Sequence, residues 1–350
     1  MRRYSLTLTI ASTLLLLALY PTSAFAIRRP HRDPTPRGKL FVFVQGINSS
    51  LTPSQAAANN NDGDDPYFFG TGHLGTYLES QGYSNARYLE YSYVGSNNTG
   101  QPQPYTCQDT YNYPLATHIT ELSQQIRAAV RNAPNTDIYV LAHSMGGIVA
   151  LGYVASLLEH VGNVVPLPNN RSILKGIITL DSPLGGVTNN PDYGKLIFLR
   201  SLPCEGLDAW NTVAVSEMQA LFQTATSSTA MGTTSSIIQA ILKGSYVSNQ
   251  QVANDAKKAK ITILSLGNTN DLLWRPSVCN KVLKTNMQDF SSTQWLQDEG
   301  NNSLVYSRMF TSGFQNCLLG TVNHENHFDV LDTPTAEQVV AQIVNGSTPG

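Results

Sequence analysis

The chain has little charge. Charged residues make up 13% of its 350 residues, against about 25% in an average soluble domain. The 22 basic and 24 acidic side chains give a formal net charge of −2, and no basic block of the kind that binds nucleic acid is present. With 41% hydrophobic residues, the chain can build a large core. The composition therefore excludes a disordered protein, disfavours nucleic-acid binding and is typical of an extracellular domain kept soluble by neutral polar groups.

The chain also lacks an apolar run long enough to cross a bilayer. Its longest apolar stretch, at 6–20, follows two arginines and ends before a small-x-small motif at 24–26. This order is typical of a secretory signal peptide, and the stretch is shorter than the ~20 residues of a transmembrane helix. We expect residues 1–26 to be cleaved as a signal peptide, residues 27–38 to be an extended leader, and the mature chain to be secreted.

Cysteine is scarce and has no metal-binding spacing. The four cysteines are Cys107, Cys204, Cys279 and Cys317. An even number in an exported chain predicts two disulfides, with four buried thiols as the alternative. We favour pairing Cys107 with Cys204 and Cys279 with Cys317, because the second pair would brace two loops that hold candidate site residues. No metal or organic cofactor is expected.

Strand-like and helix-like segments alternate over 39–347, which we interpret as one domain. Helical spacing or apolar composition predicts helices between the strands and a closing helix that begins after Thr333-Pro334. The alternation predicts an α/β fold with a mostly parallel central sheet and helices on both faces. The predicted strands are 40–44, 86–93, 137–141, 173–180, 261–266 and 303–310.

About eighty residues separate the fourth and fifth predicted strands, too many for one crossover helix. Helical spacing at 215–222 and 237–242 predicts two short helices joined by a Ser/Thr/Gly-rich stretch. We interpret 185–258 as a cap or lid over the carboxyl edge of the sheet. The alternative is an insertion that packs away from any site.

The pentapeptide AHSMG at 142–146 lies between a predicted strand and a predicted helix. A serine at such a sharp turn is raised above the sheet edge, and the residues two before and two after it must be small because strand and helix cross closely. Ala142 and Gly146 meet this requirement. Ser144 is therefore the candidate nucleophile, and a helix-capping serine is the alternative.

With this turn the chain resembles the α/β-hydrolase superfamily, in particular bacterial lipases and esterases with an AHSMGG motif and the GPI inositol-deacylase-like group with its HSMGGIVA run. The order of elements over 40–345 is similar, while close motif similarity is confined to short segments. The resemblance implies an α/β-hydrolase fold and a triad in the chain order Ser, acid, His. Alanine at 142 replaces the first glycine of the commonest motif but is also small.

An ester carbonyl attacked by Ser144 becomes an oxyanion, which two preorganised N–H groups must stabilise. The backbone N–H of Met145, at the start of a helix, is one candidate. In the family the second donor follows the first core strand, here the segment QGI at 45–47. The resemblance therefore implies Ile47 as the second donor. Gln45 replaces the usual histidine, so only the backbone role is transferred.

The candidate bases are His324 and His327, after the last predicted strand. Lipase-like relatives often have His, two residues, two aliphatic residues and then a helix started by proline. His327 fits this spacing, with aliphatic residues at 330–331 and Pro334, whereas His324 does not. Imidazole has a pKa near neutrality, which suits both removal and delivery of a proton.

The candidate acid is Asp271, which follows the strand 261–266 at the place where this superfamily most often has its acid. The acid holds the imidazole in one tautomer and stabilises its positive form. Asp181, after the preceding strand, is the alternative because some lipase branches use that position. Ser144, Asp271 and His327 also follow the chain order of the family.

These residues predict a secreted serine hydrolase that cleaves carboxylic esters, of lipids or other apolar molecules, through an acyl-enzyme. The apolar residues of the insertion are the ground for an apolar substrate and for transient contact of the cap with a lipid interface. A non-catalytic binding protein on the same fold, or an acyltransferase or thioesterase using the same triad, are the alternatives. The oligomeric state is left open.

Overall fold

The computed structural model describes residues 37–47, 49–53, 66–69, 72–83, 85–184, 186, 212–227, 237–244, 249–268, 305–310 and 329–347. The predicted signal peptide and residues 27–36 of the predicted leader lie outside these residues. All the described residues belong to the unit Arg37–Gly350.

The described strands form one sheet in the order β2-β1-β3-β4-β5-β6, and each neighbouring pair is parallel. The central strands are continuous apolar runs because both of their faces are covered. β3, for example, is buried at every position. The strands are β1 Gly38–Val44, β2 Ala86–Glu90, β3 Thr136–His143, β4 Ile173–Leu180, β5 Thr262–Asn268 and β6 Val305–Phe310.

Helices cover both faces of the sheet. Alternate side chains of β1 enter different apolar clusters: Val42 joins one and Phe43 the other, as expected when successive strand residues point to opposite faces. The first cluster contains side chains of α3 to α7, and the second contains side chains of α1, α2 and α8. The helices are α1 Pro66–Phe69, α2 Leu74–Ser80, α3 Leu115–Arg131, α4 Met145–Glu159, α5 Val213–Ser227, α6 Ile237–Ala240, α7 Asn249–Lys258 and α8 Pro334–Val344.

This topology confirms the predicted fold. The sheet is parallel in its described part, helices lie on both faces, and β3 leads through one residue into the buried helix α4. That strand–turn–helix unit in the middle of a parallel sheet is the arrangement of the α/β-hydrolase fold. The predicted closing helix is also observed, and the Thr333 hydroxyl accepts a hydrogen bond from the Ala336 N–H at its start.

One predicted strand end was wrong, and one helix was not predicted. The second strand ends at Glu90 instead of residue 93, although the Tyr91 N–H still donates to the Phe43 carbonyl of β1 at 2.9 Å. α7 was not predicted. Its described buried side chains are Val252 and Ala256, and this pair is too short an apolar pattern to indicate a helix.

The helices α5 and α6 predicted for the cap are observed, and most of their described apolar side chains are buried in the domain core, whereas Val213 at the start of α5 is exposed. α6 contacts α4, and α5 contacts α6. The buried side chains of this region are Ala214, Val215, Met218, Leu221, Ile237, Ile238 and Ile241. The rest of 185–258, apart from 186, 212, 242–244 and α7, lies outside the described residues. Coverage of the carboxyl edge by this region therefore stays a prediction.

No helix in the described part of the chain is both long and apolar enough to cross a membrane.

Candidate active site

Ser144 occupies a strained backbone position between β3 and α4. Its φ is 56° and its ψ is −131°, a conformation that a residue with a side chain rarely adopts and that costs on the order of 1–3 kcal/mol. Its N–H donates to the Leu180 carbonyl at 2.9 Å, so the turn is tied to the end of β4. The Ser144 side chain makes no capping hydrogen bond to α4. The helix-capping alternative is therefore excluded.

The turn requires glycine on its helix side. A Cβ atom on Gly146 would lie 2.5 Å from the carbonyl oxygens of Val44 and Gln45, closer than such atoms can approach. The small residue predicted at 146 is confirmed, but the close neighbour is the end of β1. A Cβ atom on Gly147 would overlap the Ser182 hydroxyl after β4. The first turn of α4 therefore packs directly against the chain at the ends of β1 and β4.

The same contact brings the two candidate oxyanion donors into one region. Met145 is buried at the first position of α4, where backbone N–H groups have no acceptor within the helix. Ile47 is half-buried, two residues beyond the Gln45 carbonyl that faces Gly146. The N-terminus of α4 adds a positive electrostatic potential at this place. The arrangement can stabilise a negative charge that forms beside Ser144.

The loop after β1 is held by buried hydroxyl groups. The Tyr93 hydroxyl donates to the Gln45 carbonyl at 2.6 Å. The Tyr105 hydroxyl lies 3.2 Å from Gln45 Oε1 and 3.0 Å from Ser49 Oγ. Ser49 Oγ in turn donates to the Gly46 carbonyl at 2.7 Å. The roles of these residues were not predicted from the sequence. The closely spaced tyrosines at 91, 93 and 105 were the pattern that could have indicated them.

His118 lies behind this loop as an uncharged residue of the core. It is fully buried on α3, and its ring packs edge-on against Tyr93 at 4.7 Å between ring centroids. Burial lowers the pKa of His118 to about 4, and backbone hydrogen bonds with Thr110 and Tyr93 oppose this effect only in part, so the imidazole is neutral at pH 7. It is therefore a packing residue of the core.

Asp181 directly follows β4, and its position is close to the turn. It is fully buried, has a φ of 41°, and donates its N–H to the Leu266 carbonyl at 2.8 Å. Ser144 binds the carbonyl of the preceding residue, Leu180. The alternative acid is therefore located at the same sheet edge as the candidate nucleophile.

The remaining candidate side chains lie outside the described residues. These are Asp271, His324 and His327, so the choice of acid and of base stays a prediction. Cys107 begins a 3₁₀ helix, Cys107–Thr110, and is disulfide-bonded. Its partner lies outside the described residues, so the predicted pairing with Cys204 is untested.

No protein-family model matches the sequence, and no curated protein matches it significantly. Solved structures with a similar arrangement include a lipase-esterase related protein from Clostridium acetobutylicum, at 16% identity over 88% of this chain and 93% of that chain, with a TM-score of 0.41. Another is a highly thermostable carboxyl esterase from Bacillus coagulans, at 14% identity over 89% and 90%, with a TM-score of 0.40. Likeness at this level carries no inference about activity or substrate.

Proposed function

We propose that this chain is a secreted serine hydrolase that cleaves carboxylic esters. Ser144 is the nucleophile, His327 the general base and Asp271 the acid that orients it. The backbone N–H groups of Ile47 and Met145 form the oxyanion hole.

The proposal rests above all on the backbone of Ser144. A φ of 56° is tolerated in a buried turn only where the surrounding structure enforces it. Here the enforcement comes from the hydrogen bond to Leu180 and from the close approach of β1 to Gly146. A serine whose side chain does not cap the helix it precedes gains nothing structurally from this strain. A nucleophilic role for Ser144 explains why this strained conformation is retained.

The chemistry requires only groups of this chain, ester and water. Ser144 Oγ attacks the ester carbonyl while His327 takes the hydroxyl proton. The carbonyl oxygen becomes an oxyanion and accepts hydrogen bonds from the two backbone donors. The C–O bond then breaks, His327 returns the proton to the departing alcohol, and an acyl-enzyme remains. Water attacks the acyl group by the same sequence, and the carboxylic acid is released.

The described elements nearest to the proposed acid and base in the chain support their assignment. Asp271 follows the end of β5 by three residues, and His327 precedes the 3₁₀ helix Asp329–Leu331 by two. That 3₁₀ helix contacts β5, and its buried Val330 lies in the same apolar cluster as Leu266 of β5. Both candidates are thus only a few residues from elements that pack together.

Covalent labelling tests the nucleophile. A fluorophosphonate probe is expected to label the wild-type protein and to leave Ser144→Ala unlabelled. Ser156→Ala is the matched control, because Ser156 is a buried serine of α4 whose hydroxyl has no hydrogen-bond partner in the described part of the chain. Labelling of Ser156→Ala together with loss of labelling in Ser144→Ala supports the enzyme. Absence of labelling in all three proteins would support a non-catalytic binding protein instead.

Paired substitutions test the base and the acid. We expect His327→Ala to lose hydrolysis of a nitrophenyl ester while His324→Ala retains it. We expect the same contrast between Asp271→Asn and Asp181→Asn. The opposite result in either pair would reassign that role to the other residue.

The substrate class is the finer part of the proposal. We propose esters of lipids or other apolar acyl groups, with transient contact between the cap and a lipid interface. Most of the described apolar side chains of α5 and α6 are buried in the core and only Val213 is largely exposed, so these helices do not by themselves identify an apolar substrate. A series of esters of increasing chain length is the decisive measurement. A preference for long chains above their aggregation limit supports this class, and a preference for short soluble esters excludes it. Thioester and alcohol-acceptor assays separate hydrolysis from the alternatives.

Export is proposed from the sequence alone. Expression of the full chain with its N-terminal segment is expected to release a protein whose first residue is Ile27. Retention of the uncleaved N-terminus in the cell fraction would contradict it.

A further inference from the structure

The peptide bond between Gly46 and Ile47 carries the proposed oxyanion donor. A trans peptide is planar, and its N–H points opposite to its C=O. The direction of the Ile47 N–H is therefore set by whatever holds the Gly46 carbonyl. In this structure the Ser49 hydroxyl donates to that carbonyl at 2.7 Å, and the Ser49 N–H approaches it at 3.4 Å.

The Ser49 hydroxyl is itself held by a buried tyrosine. Each hydroxyl has one proton to donate. Since the Ser49 proton is directed to the Gly46 carbonyl, the Tyr105 hydroxyl is the donor in its contact with Ser49 Oγ at 3.0 Å. Gln45 Oε1, at 3.2 Å from the Tyr105 hydroxyl, shares the same single proton. Ser49 and Tyr105 are 7% and 4% exposed, so water competes little for these bonds. The hydroxyl groups of Tyr105 and Ser49 thus form a series of hydrogen bonds that ends at the Gly46 carbonyl, in the same peptide group as the Ile47 N–H.

Tyr105 is in turn fixed by the core. Its main chain pairs with that of Leu51 through two hydrogen bonds of 3.0 Å. Its ring packs edge-on against Tyr93 at 5.4 Å between centroids, and Tyr93 binds the Gln45 carbonyl. The loop 45–47 is therefore held at two successive carbonyl groups and at one side chain.

We propose that Ser49, braced by Tyr105, is a positioning residue that orients the Ile47 N–H toward the oxyanion. This inference rests on the proposed function, because it concerns the same reaction. Neither residue contacts the reacting atoms. Their contribution is to hold a donor in place before the charge develops, which is when preorganisation lowers the barrier.

Kinetics of four variants test the proposal. Loss of a whole oxyanion donor lowers kcat about 10²- to 10³-fold, so a donor that is present but loosely held is expected to lower it about tenfold. We expect that loss in Ser49→Ala, a smaller loss in Tyr105→Phe and little change of KM in either. Ser49→Thr keeps a hydroxyl and is expected to restore most of the rate. Tyr91→Phe is the matched control, because the Tyr91 hydroxyl is buried in the same cluster but donates to the His118 carbonyl.

A transition-state analogue separates positioning from general damage. A boronic acid that forms a tetrahedral adduct with Ser144 is expected to bind Ser49→Ala more weakly by the same factor as kcat/KM falls, since both depend on the oxyanion donors. Wild-type kcat in both Ser49→Ala and Tyr105→Phe would overturn the proposal. Equal decreases of kcat in Tyr91→Phe and Tyr105→Phe would also overturn the proposal. If the proposed function is wrong, the wild-type protein has neither esterase activity nor probe labelling. That result is distinct from the kinetic outcomes above, and it would also overturn this inference.

Discussion

The two ends of the parallel sheet are held together in different ways. At the carboxyl end, main-chain atoms of β1, β3 and α4 meet so closely that a Cβ on Gly146 would lie 2.5 Å from two carbonyl oxygens. At the amino end, a Cβ on Gly38 would meet no atom nearer than 3.5 Å, an ordinary contact. The first end is therefore constrained by backbone packing, and the second has room for side chains.

The amino end is stabilised by a partly exposed side chain instead. Arg37 forms an ion pair with Asp137 at 2.5 Å, and its guanidinium also donates to Asn135 Oδ1 at 2.6 Å and to the Arg171 carbonyl at 2.8 Å. Its side chain is 31% exposed, so water and salt weaken these bonds. Substitutions at the carboxyl end therefore disturb the backbone. Substitutions at the amino end remove side-chain contacts that water can replace.

The largest predicted effect is that of adding one methyl group at the carboxyl end. Gly146→Ala is expected to lower the free energy of unfolding by about 3 kcal/mol or more, because backbone of β1 must move to admit the Cβ. The matched change at the amino end, Gly38→Ala, is expected to alter it by no more than about 0.5 kcal/mol. Urea denaturation of both variants measures the difference, and equal stabilities would contradict the contrast between the two ends.

The pH dependence of stability tests the lowered pKa of His118, which is buried behind the loop that follows β1. The unfolded chain takes up a proton on His118 near pH 6.5, while the folded protein does so only near its lowered pKa of about 4. The unfolded state thus binds more protons between these values, and stability falls as the pH is lowered through this window. The full difference amounts to about 3 kcal/mol. Denaturation of wild type and His118→Gln at pH 7, 5.5 and 4 is expected to show a shallower pH dependence in the variant, and parallel curves would contradict the prediction.

Relief of strain at the turn is expected to stabilise the fold and abolish the reaction. Glycine accepts a positive φ without steric cost, so Ser144→Gly is expected to raise the free energy of unfolding by about 1 kcal/mol. Ser144→Ala removes the same hydroxyl but keeps the Cβ, and is expected to gain no such stability. Thermal denaturation compares the two, with nitrophenyl ester hydrolysis lost in both. A less stable Ser144→Gly would show that the turn is not strained.

A small effect is also predicted for the Arg37 contacts at the amino end. Arg37→Gln is expected to lower the free energy of unfolding by about 1 kcal/mol or less, with no change in esterase kinetics. Because the ion pair is screened by salt, the difference from wild type is expected to shrink in 1 M sodium chloride. A loss as large as that of Gly146→Ala, or one independent of salt, would remove the distinction between the two ends.

Features with a local pattern were predicted from the sequence. The run 173–180 was predicted as a strand, and β4 has the same bounds. The turn at 142–146 was recognised because strand, small residues and apolar helix follow one another directly. The burial of His118 was not predicted, because it depends on a contact with the Tyr93 ring that forms only through tertiary packing.

By itself, therefore, the sequence determined the parallel sheet, its helical layers and the position of Ser144 at the turn, because hydrophobic periodicity and residue size act between neighbours in the chain. Only the tertiary structure decided that Gly146 must be small on account of β1 and that Tyr105 holds the loop after that strand. Ser49 and Tyr105 are separated by 56 positions. A contact over such a separation exists only once the helices and the strand between them have packed, and no local pattern encodes it.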